Sequence, residues 1–348
     1  MKTMVKILAA RYYEPRKPLK LEQVELPKVQ DDDVLVRIKA AGVCHSDLHT
    51  INGLFPPAKP PPITLGHEMS GIVEEKGKNV KKVEIGDRVG ADYVLSCGTC
   101  SYCVAGKDNL CDNFKVMAVN TDGAWTEKIV VPQRHIHRLP RNVGFPEGAI
   151  MNCAVMTSYH AMKLAQVSAG DTVLVYGLGG VGINAIQWAK VFGATEIIGV
   201  DLEEGKLDLA KRMGATITVN PKDGDPVQRV RELTGGGVDV GFEIIGLVDT
   251  VRKMIGCVKK GGKAVMVGMC FDNVPISPVN DVMTPEIKLM SPQDHLKAEI
   301  PQVLKLIENE RFDLSHSVSH RLPLKEVNEG VRILNERIGN PVRVVLEP

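Results

Sequence analysis

The stretch DTVLVYGLGGVGINAIQWAKVFGATEIIGVD, Asp171 to Asp201, constrains the fold of this chain more than any other. TVLVY is short, β-rich and without alternation, the pattern of a strand buried on both faces. GLGGVG follows at once and sets Gly177, Gly179 and Gly182 at G-x-G-x-x-G spacing, with Gly180 among them. Val181, Ala185, Trp188 and Phe192 then recur four, three and four residues apart, which predicts one apolar helix face. EIIGVD reads as a second strand ending in Asp201, 24 residues after Gly177. Glycines permit the sharp turn and let backbone N–H groups approach a pyrophosphate at the helix N-terminus. An acid at the end of the second strand accepts from a ribose 2′-hydroxyl and repels a 2′-phosphate, so the segment predicts NAD over NADP. A glycine motif alone would say little; strand, helix, second strand and acid together are specific.

The alternation continues downstream. EGKLDLAKRMGA predicts a helix, TITV a strand, VDVGFEII a strand, VRKMIGCVKKGGK a helix and KAVMVG a strand. These make a doubly wound parallel α/β sheet, a Rossmann domain, over residues 152–290. A chain of 348 residues is long for one core, so a second domain is expected. With 43 basic and 42 acidic residues and no block of one sign, nothing favours a nucleic-acid partner. No apolar run approaches the ~18 residues that span a bilayer. The opening MKTMVKILAARYYEPRK lacks the sustained apolar core and cleavage site of a secretory signal. The expectation is a cytoplasmic protein without membrane contact.

Eight cysteines are present, and four stand together in CGTCSYCVAGKDNLC, 97–111. Reduced cytosolic thiols at this density bind metal more often than they form disulfides. Cys97, Cys100, Cys103 and Cys111 are spaced C-x2-C-x2-C-x7-C, and four thiolates close a tetrahedral structural zinc site. An iron–sulfur cluster takes the same ligand number, but nothing else in the chain suggests electron transfer. With no open position, this metal would hold a lobe together rather than catalyse.

A second set is scattered. GVCHSDLH (42–49), TLGHEMSG (64–71) and IMNCAVMTSYHAM (150–162) carry Cys44, His67 and Cys153. Two cysteines and a histidine leave a fourth position for substrate, the catalytic zinc arrangement, and Asp47 offers a carboxylate to the histidine's other nitrogen. Each residue alone also reads as a small buried thiol or a satisfied histidine. Spacing does not choose between the two readings.

Taken together, the Cys-His-Ser-Asp start, Gly-His-Glu, the four-cysteine lobe, GLGGVG with its aspartate, DPVQRVRELTGGGVDVGFEIIG and the closing PVRVVLEP resemble the zinc-dependent alcohol dehydrogenases of the medium-chain dehydrogenase family, over nearly the whole chain. The resemblance implies a mostly-β, GroES-like catalytic domain over 1–151, with a structural zinc lobe at about 93–113, the NAD-binding domain over 152–290, and a return to the first domain over 291–348. It implies two zinc ions per chain. Cys44, His67 and Cys153 would hold the catalytic one, with Glu68 beside it as an outer or exchanging ligand. Ser46 and His49 would form a proton relay, and Asp47 would orient His67. His45 and Arg343 would approach the cofactor pyrophosphate, Lys206 the adenine ribose beside Asp201, and Phe55 and Tyr93 would line the substrate pocket. The implied reaction is reversible oxidation of a primary or secondary alcohol to an aldehyde or ketone by hydride transfer to NAD. A polyol or sugar dehydrogenase is the alternative; such relatives commonly carry glutamate where Cys153 stands. Family members form dimers or tetramers, and this shorter chain resembles the tetrameric ones, so the resemblance implies a homotetramer, with a dimer as the alternative. Cys257 and Cys270 need no role beyond packing, and PPAKPPP (56–62) reads as a stiff loop.

Overall fold

In a computed structural model, residues 5–348 are described. The first four residues of the N-terminal stretch judged to lack a secretory signal lie outside them. The described residues divide into two compact units, 5–153 with 296–310 and 314–348, and 154–295 with 311–313. The breaks fall after Cys153 and His295, a few residues beyond those expected from sequence.

The second unit is a six-stranded parallel sheet. Its strands, in spatial order, are Ile217–Val219, Glu196–Val200, Thr172–Tyr176, Val238–Glu243, Val258–Met266 and Lys288–Met290, which is 3-2-1-4-5-6 in chain order. This is the doubly wound dinucleotide-binding order, in which ligands meet the carboxyl ends of the strands. Val173, Leu174, Val175 and Tyr176 are all buried, as a strand covered on both faces requires. Helix Gly180–Val191 follows the glycine turn and is buried over most of its circumference. Its Trp188 stacks on Phe312 at 3.9 Å, and Gln187 exchanges two hydrogen bonds with the backbone of Asp313. Residues 311–313 therefore belong to this unit and not, as expected, to the return segment.

One predicted helix is corrected. VRKMIGC is helical to Cys257, but VKKGGK is strand. Val258 turns to extended backbone, φ −80° and ψ 137°, and pairs with Val238. A β-branched residue with two glycines at 261 and 262 disfavours continuation of the helix.

The first unit is built on the eleven-residue strand Asp33–Val43, buried along most of its length. Strands Met69–Lys76, Lys128–Pro132 and Val344–Glu347 all pair with it antiparallel. The resulting seven-stranded sheet makes this unit mostly β. Among the described residues, no helix is long and apolar enough to cross a membrane.

Candidate active site

Pairing around the central strand brings distant sequence to one point. Ala41 faces Met69, so His67 and Glu68, just before that strand, arrive beside Gly42 and Cys44. Val43 faces Val344, so Arg343 arrives from 300 residues away at the same place. Cys153 comes from Met151–Val155, a π-helical turn between two α-helices; such turns re-aim a side chain by inserting one residue.

Ligand atoms of Cys44, His67, Glu68 and Cys153 lie within 4.8 Å of one another, and all four residues are buried. The Cys44 and Cys153 sulfurs are 3.9 Å apart, with no disulfide. Sulfurs bound to one zinc at ~2.3 Å in a tetrahedron stand about 3.8 Å apart, so the spacing fits the metal. His67 Nδ1 lies 3.3 Å from Asp47 Oδ1, which fixes a proton there and leaves Nε2 as the ligand atom. Asp47 is held in turn by the backbone N–H groups of Cys44 (2.9 Å) and Gly66 (3.3 Å). Both Glu68 oxygens are buried without a hydrogen-bond partner among the described residues, although Arg343 Nη2 stands 3.3 Å from Oε1. A carboxylate oriented toward thiolates and imidazole, with unused lone pairs, fits a place beside a cation. Residue 42 must be glycine, because a Cβ there would meet Glu68 Oε2 at 1.8 Å.

The electrostatics favour a thiolate at Cys44, while the hydrogen bond to Cys44 and burial push the Cys153 thiol up. The hydrogen bond from Cys153 holds the Cys44 thiol well below its usual range against the effect of burial, with Arg343 and His67 adding to it. Burial outweighs the opposing Arg343 charge and leaves Glu68 raised to about 7. For His67 burial favours the neutral ring, but Asp47 and Cys44 outweigh it and raise the pKa. Tyr93 is buried and packs edge-on against His67, ring centroids 4.9 Å apart at 68°. Ser46 Oγ lies 3.4 Å from His67 Nε2, and His49 follows one turn later on the same short helix, His45–Ile51. His45 is exposed on that helix and Phe55 half-buried beyond it. Arg343, expected near a pyrophosphate, is buried and has Glu68 as its ionic partner.

The four-cysteine lobe also assembles. Cys97, Cys100, Cys103 and Cys111 place their sulfurs within 4.8 Å of one another, with 4.0 Å between Cys97 and Cys103 and 3.9 Å between Cys100 and Cys111. Backbone N–H groups of Thr99 and Cys100 donate to the Cys97 sulfur, and the Thr99 hydrogen bonds lead in lowering that thiol to about 5. The lobe's helix, Ser101–Val104, buries no residue, so side-chain packing does not hold it together.

In the second unit, Gly179 precedes the first turn of helix Gly180–Val191, and a Cβ added there would meet nothing within 4 Å. That open cradle, at the N-terminus of a twelve-residue helix, fits a pyrophosphate. Gly182 is required for another reason: a Cβ would meet the Gly177 carbonyl at 1.9 Å. Asp201 accepts from Leu178 N (2.8 Å) and Glu203 N (3.1 Å), so it also braces the glycine turn. A carboxylate has about four lone-pair sites, which leaves capacity for a ribose hydroxyl. Lys206 is half-buried on the following helix, Glu204–Met213. Sequence reasoning assigned nothing to Glu243. Its Oε1 gathers Ile245 N, Gly246 N and Thr250 Oγ1 at 2.7–2.9 Å, and Ile245 closes over Gly177. The available signal was an acid flanked by Phe242 and Ile244 in the mostly apolar strand VDVGFEII.

Residues 30–141 match the alcohol dehydrogenase GroES-like domain family, and residues 180–309 the zinc-binding dehydrogenase family. An alcohol dehydrogenase of Geobacillus stearothermophilus is 34% identical over 336 residues, covering 95% of this chain and 97% of its own length. A Sinorhizobium meliloti 1021 protein, described as a zinc-binding dehydrogenase and crystallised with NADP, superposes with TM-score 0.92 at 31% identity, over 99% of this chain and 100% of that one. The 2R,3R-butanediol dehydrogenase of Bacillus subtilis gives TM-score 0.89 at 28% identity, over 98% and 99%. With its two ligand clusters and doubly wound nucleotide sheet, the chain belongs to the zinc-dependent alcohol dehydrogenases of the medium-chain dehydrogenase family and is an oxidoreductase.

Proposed function

We propose that the protein oxidises small primary or secondary alcohols with NAD, reversibly, using two zinc ions per chain. The observation that carries the reading is the buried Cys44–His67–Cys153 set, which supplies three protein ligands and so leaves one position for a substrate oxygen. When bound, zinc there supplies Lewis-acid stabilisation of negative charge on that oxygen, and NAD supplies the hydride acceptor. Ser46, half-buried at the start of its helix, would take the alcohol proton, and His49, three residues on and facing the same side, would deliver it to solvent. Such an exit matters because a stranded charge in a dry site is costly. Asp47 keeps His67 in the ligand tautomer, and Arg343 balances the negative charge of Glu68 and Cys44.

Burial lowers the His49 pKa below 6.5, and the Cys44 charge opposes this. The imidazole is therefore neutral, and able to accept a proton, at neutral pH. His49→Gln is expected to lower turnover by roughly a hundredfold near neutral pH, with the loss shrinking as hydroxide takes over in alkali. The KM for NAD should stay unchanged. Parallel pH–rate profiles for the two enzymes would remove His49 from the relay.

The NAD preference rests on Asp201. Asp201→Gly is expected to move the ratio of kcat/KM values toward NADP by roughly 100-fold, about 2.7 kcal/mol. An unchanged ratio would mean that another group selects the cofactor. A diol or polyol substrate is the second reading, favoured by the likeness to the butanediol dehydrogenase. Turnover across linear, secondary and aromatic alcohols, polyols and aldoses decides between them: activity confined to polyols or sugars would overturn the first.

A further inference from the structure

The helix of the four-cysteine lobe buries no residue, yet the lobe is joined to the rest of its unit by a knot of charge whose acids are buried. Lys297, from the return segment, donates from Nζ to Ser96 Oγ at 2.6 Å, just ahead of the first lobe cysteine. The same ammonium lies 3.8 Å from Asp92 Oδ2. The backbone N–H of Lys297 donates to Asp108 Oδ1 at 3.2 Å, inside the lobe. Ser96, Asp92 and Asp108 are all buried. Burial favours a neutral Lys297 and a neutral Asp108, and each charge opposes that effect on the other. Through its ammonium and its backbone N–H, Lys297 thus ties together the lobe, the segment entering it and the return segment nearly 190 residues away.

Asp92 also leads to the other metal-type site. Its Oδ1 accepts from Val94 N at 2.9 Å, which fixes the backbone on either side of Tyr93. Tyr93 in turn packs edge-on against His67. Asp47 restrains that imidazole by a hydrogen bond at Nδ1, and the Tyr93 ring adds a packing contact. A shift of the Asp92–Val94 backbone would therefore be felt at a ligand that must be oriented to within a few tenths of an ångström.

We propose that Lys297 is a positioning residue that seats the cysteine lobe on the Asp92–Val94 segment and, through Tyr93, holds His67 in register. This rests on His67 acting as a ligand of the catalytic zinc. It assigns the lobe a part in the reaction beyond its own stability, carried by an ion pair between half-buried Lys297 and buried Asp92 that lies outside both ligand sets.

The test is a double-mutant cycle on the zinc-loaded enzyme. Lys297→Met is nearly isosteric and leaves Asp92 without its ammonium. It is expected to speed zinc release from the lobe to a chromogenic chelator and to lower kcat on an alcohol, each about tenfold, with KM for NAD unchanged. Asp92→Asn keeps the bond from Val94 but removes the charge. In the Lys297→Met background it is expected to restore most of both losses, so the two substitutions are strongly non-additive. Lys297→Arg keeps the cation and is expected to stay near wild type, which covers the case in which the methionine variant does not fold. Faster zinc release with wild-type kcat would overturn the coupling to His67. Additive effects, or an arginine variant as impaired as the methionine one, would overturn the role of the ion pair. Wild-type turnover on alcohols, measured in parallel, tests the underlying reading separately.

Discussion

Cys44→Ala is expected to lower kcat/KM on alcohols by about four orders of magnitude, from the several kcal/mol of charge stabilisation that a metal supplies. The residue is buried, with its sulfur 3.9 Å from that of Cys153. Its removal leaves one thiolate and one imidazole as the strong donors, with only the Glu68 carboxylate beside them. The cost to the fold should be small, because alanine leaves the Cys44 backbone N–H on Asp47 and removes only one sulfur from the site. Metal content should fall from two zinc ions per chain to one, with the circular dichroism and NAD affinity of the parent. Retained activity at full zinc content would place the chemistry elsewhere.

The second large effect is on stability. Cys100→Ser is expected to lower the melting temperature by about 10 °C, since structural zinc contributes on the order of 10 kcal/mol to small metal-held folds and each kcal/mol moves Tm by a few degrees. The lobe has no apolar interior to fall back on: its helix buries no residue, and Tyr102, Val104 and Leu110 are exposed. Three thiolates would bind zinc more weakly, and proteolysis should begin within residues 97–111. Calorimetry and metal analysis check this. A variant with parental Tm and only one zinc ion per chain would show that the lobe folds without its metal.

What could be read from sequence follows the range of the interactions. The glycine turn and the four-cysteine lobe are local, so spacing alone carried them, and the structure assembles both. The Cys44–His67–Cys153 set is not local. It depends on the Ala41–Met69 register and on a π turn at Cys153, which no spacing rule encodes, so only the family resemblance selected it. Arg343 was recognised but given a different neighbour, because its burial against Glu68 follows from the Val43–Val344 pairing. Lys297 and Glu243 carried no motif at all. Each draws its significance from buried partners that tertiary packing brings to it. The VKKGGK strand was misread because an apolar helix period ran on into it, while strand pairing with Val238–Glu243 decided the outcome.

The most direct test of a catalytic metal centre at Cys44, His67 and Cys153 is alcohol-dependent NAD reduction, followed by NADH absorbance, in zinc-loaded, zinc-stripped and reloaded protein. Turnover of simple alcohols that disappears with the metal and returns on reloading is the expected result. Undiminished turnover in protein shown to be free of metal would contradict it.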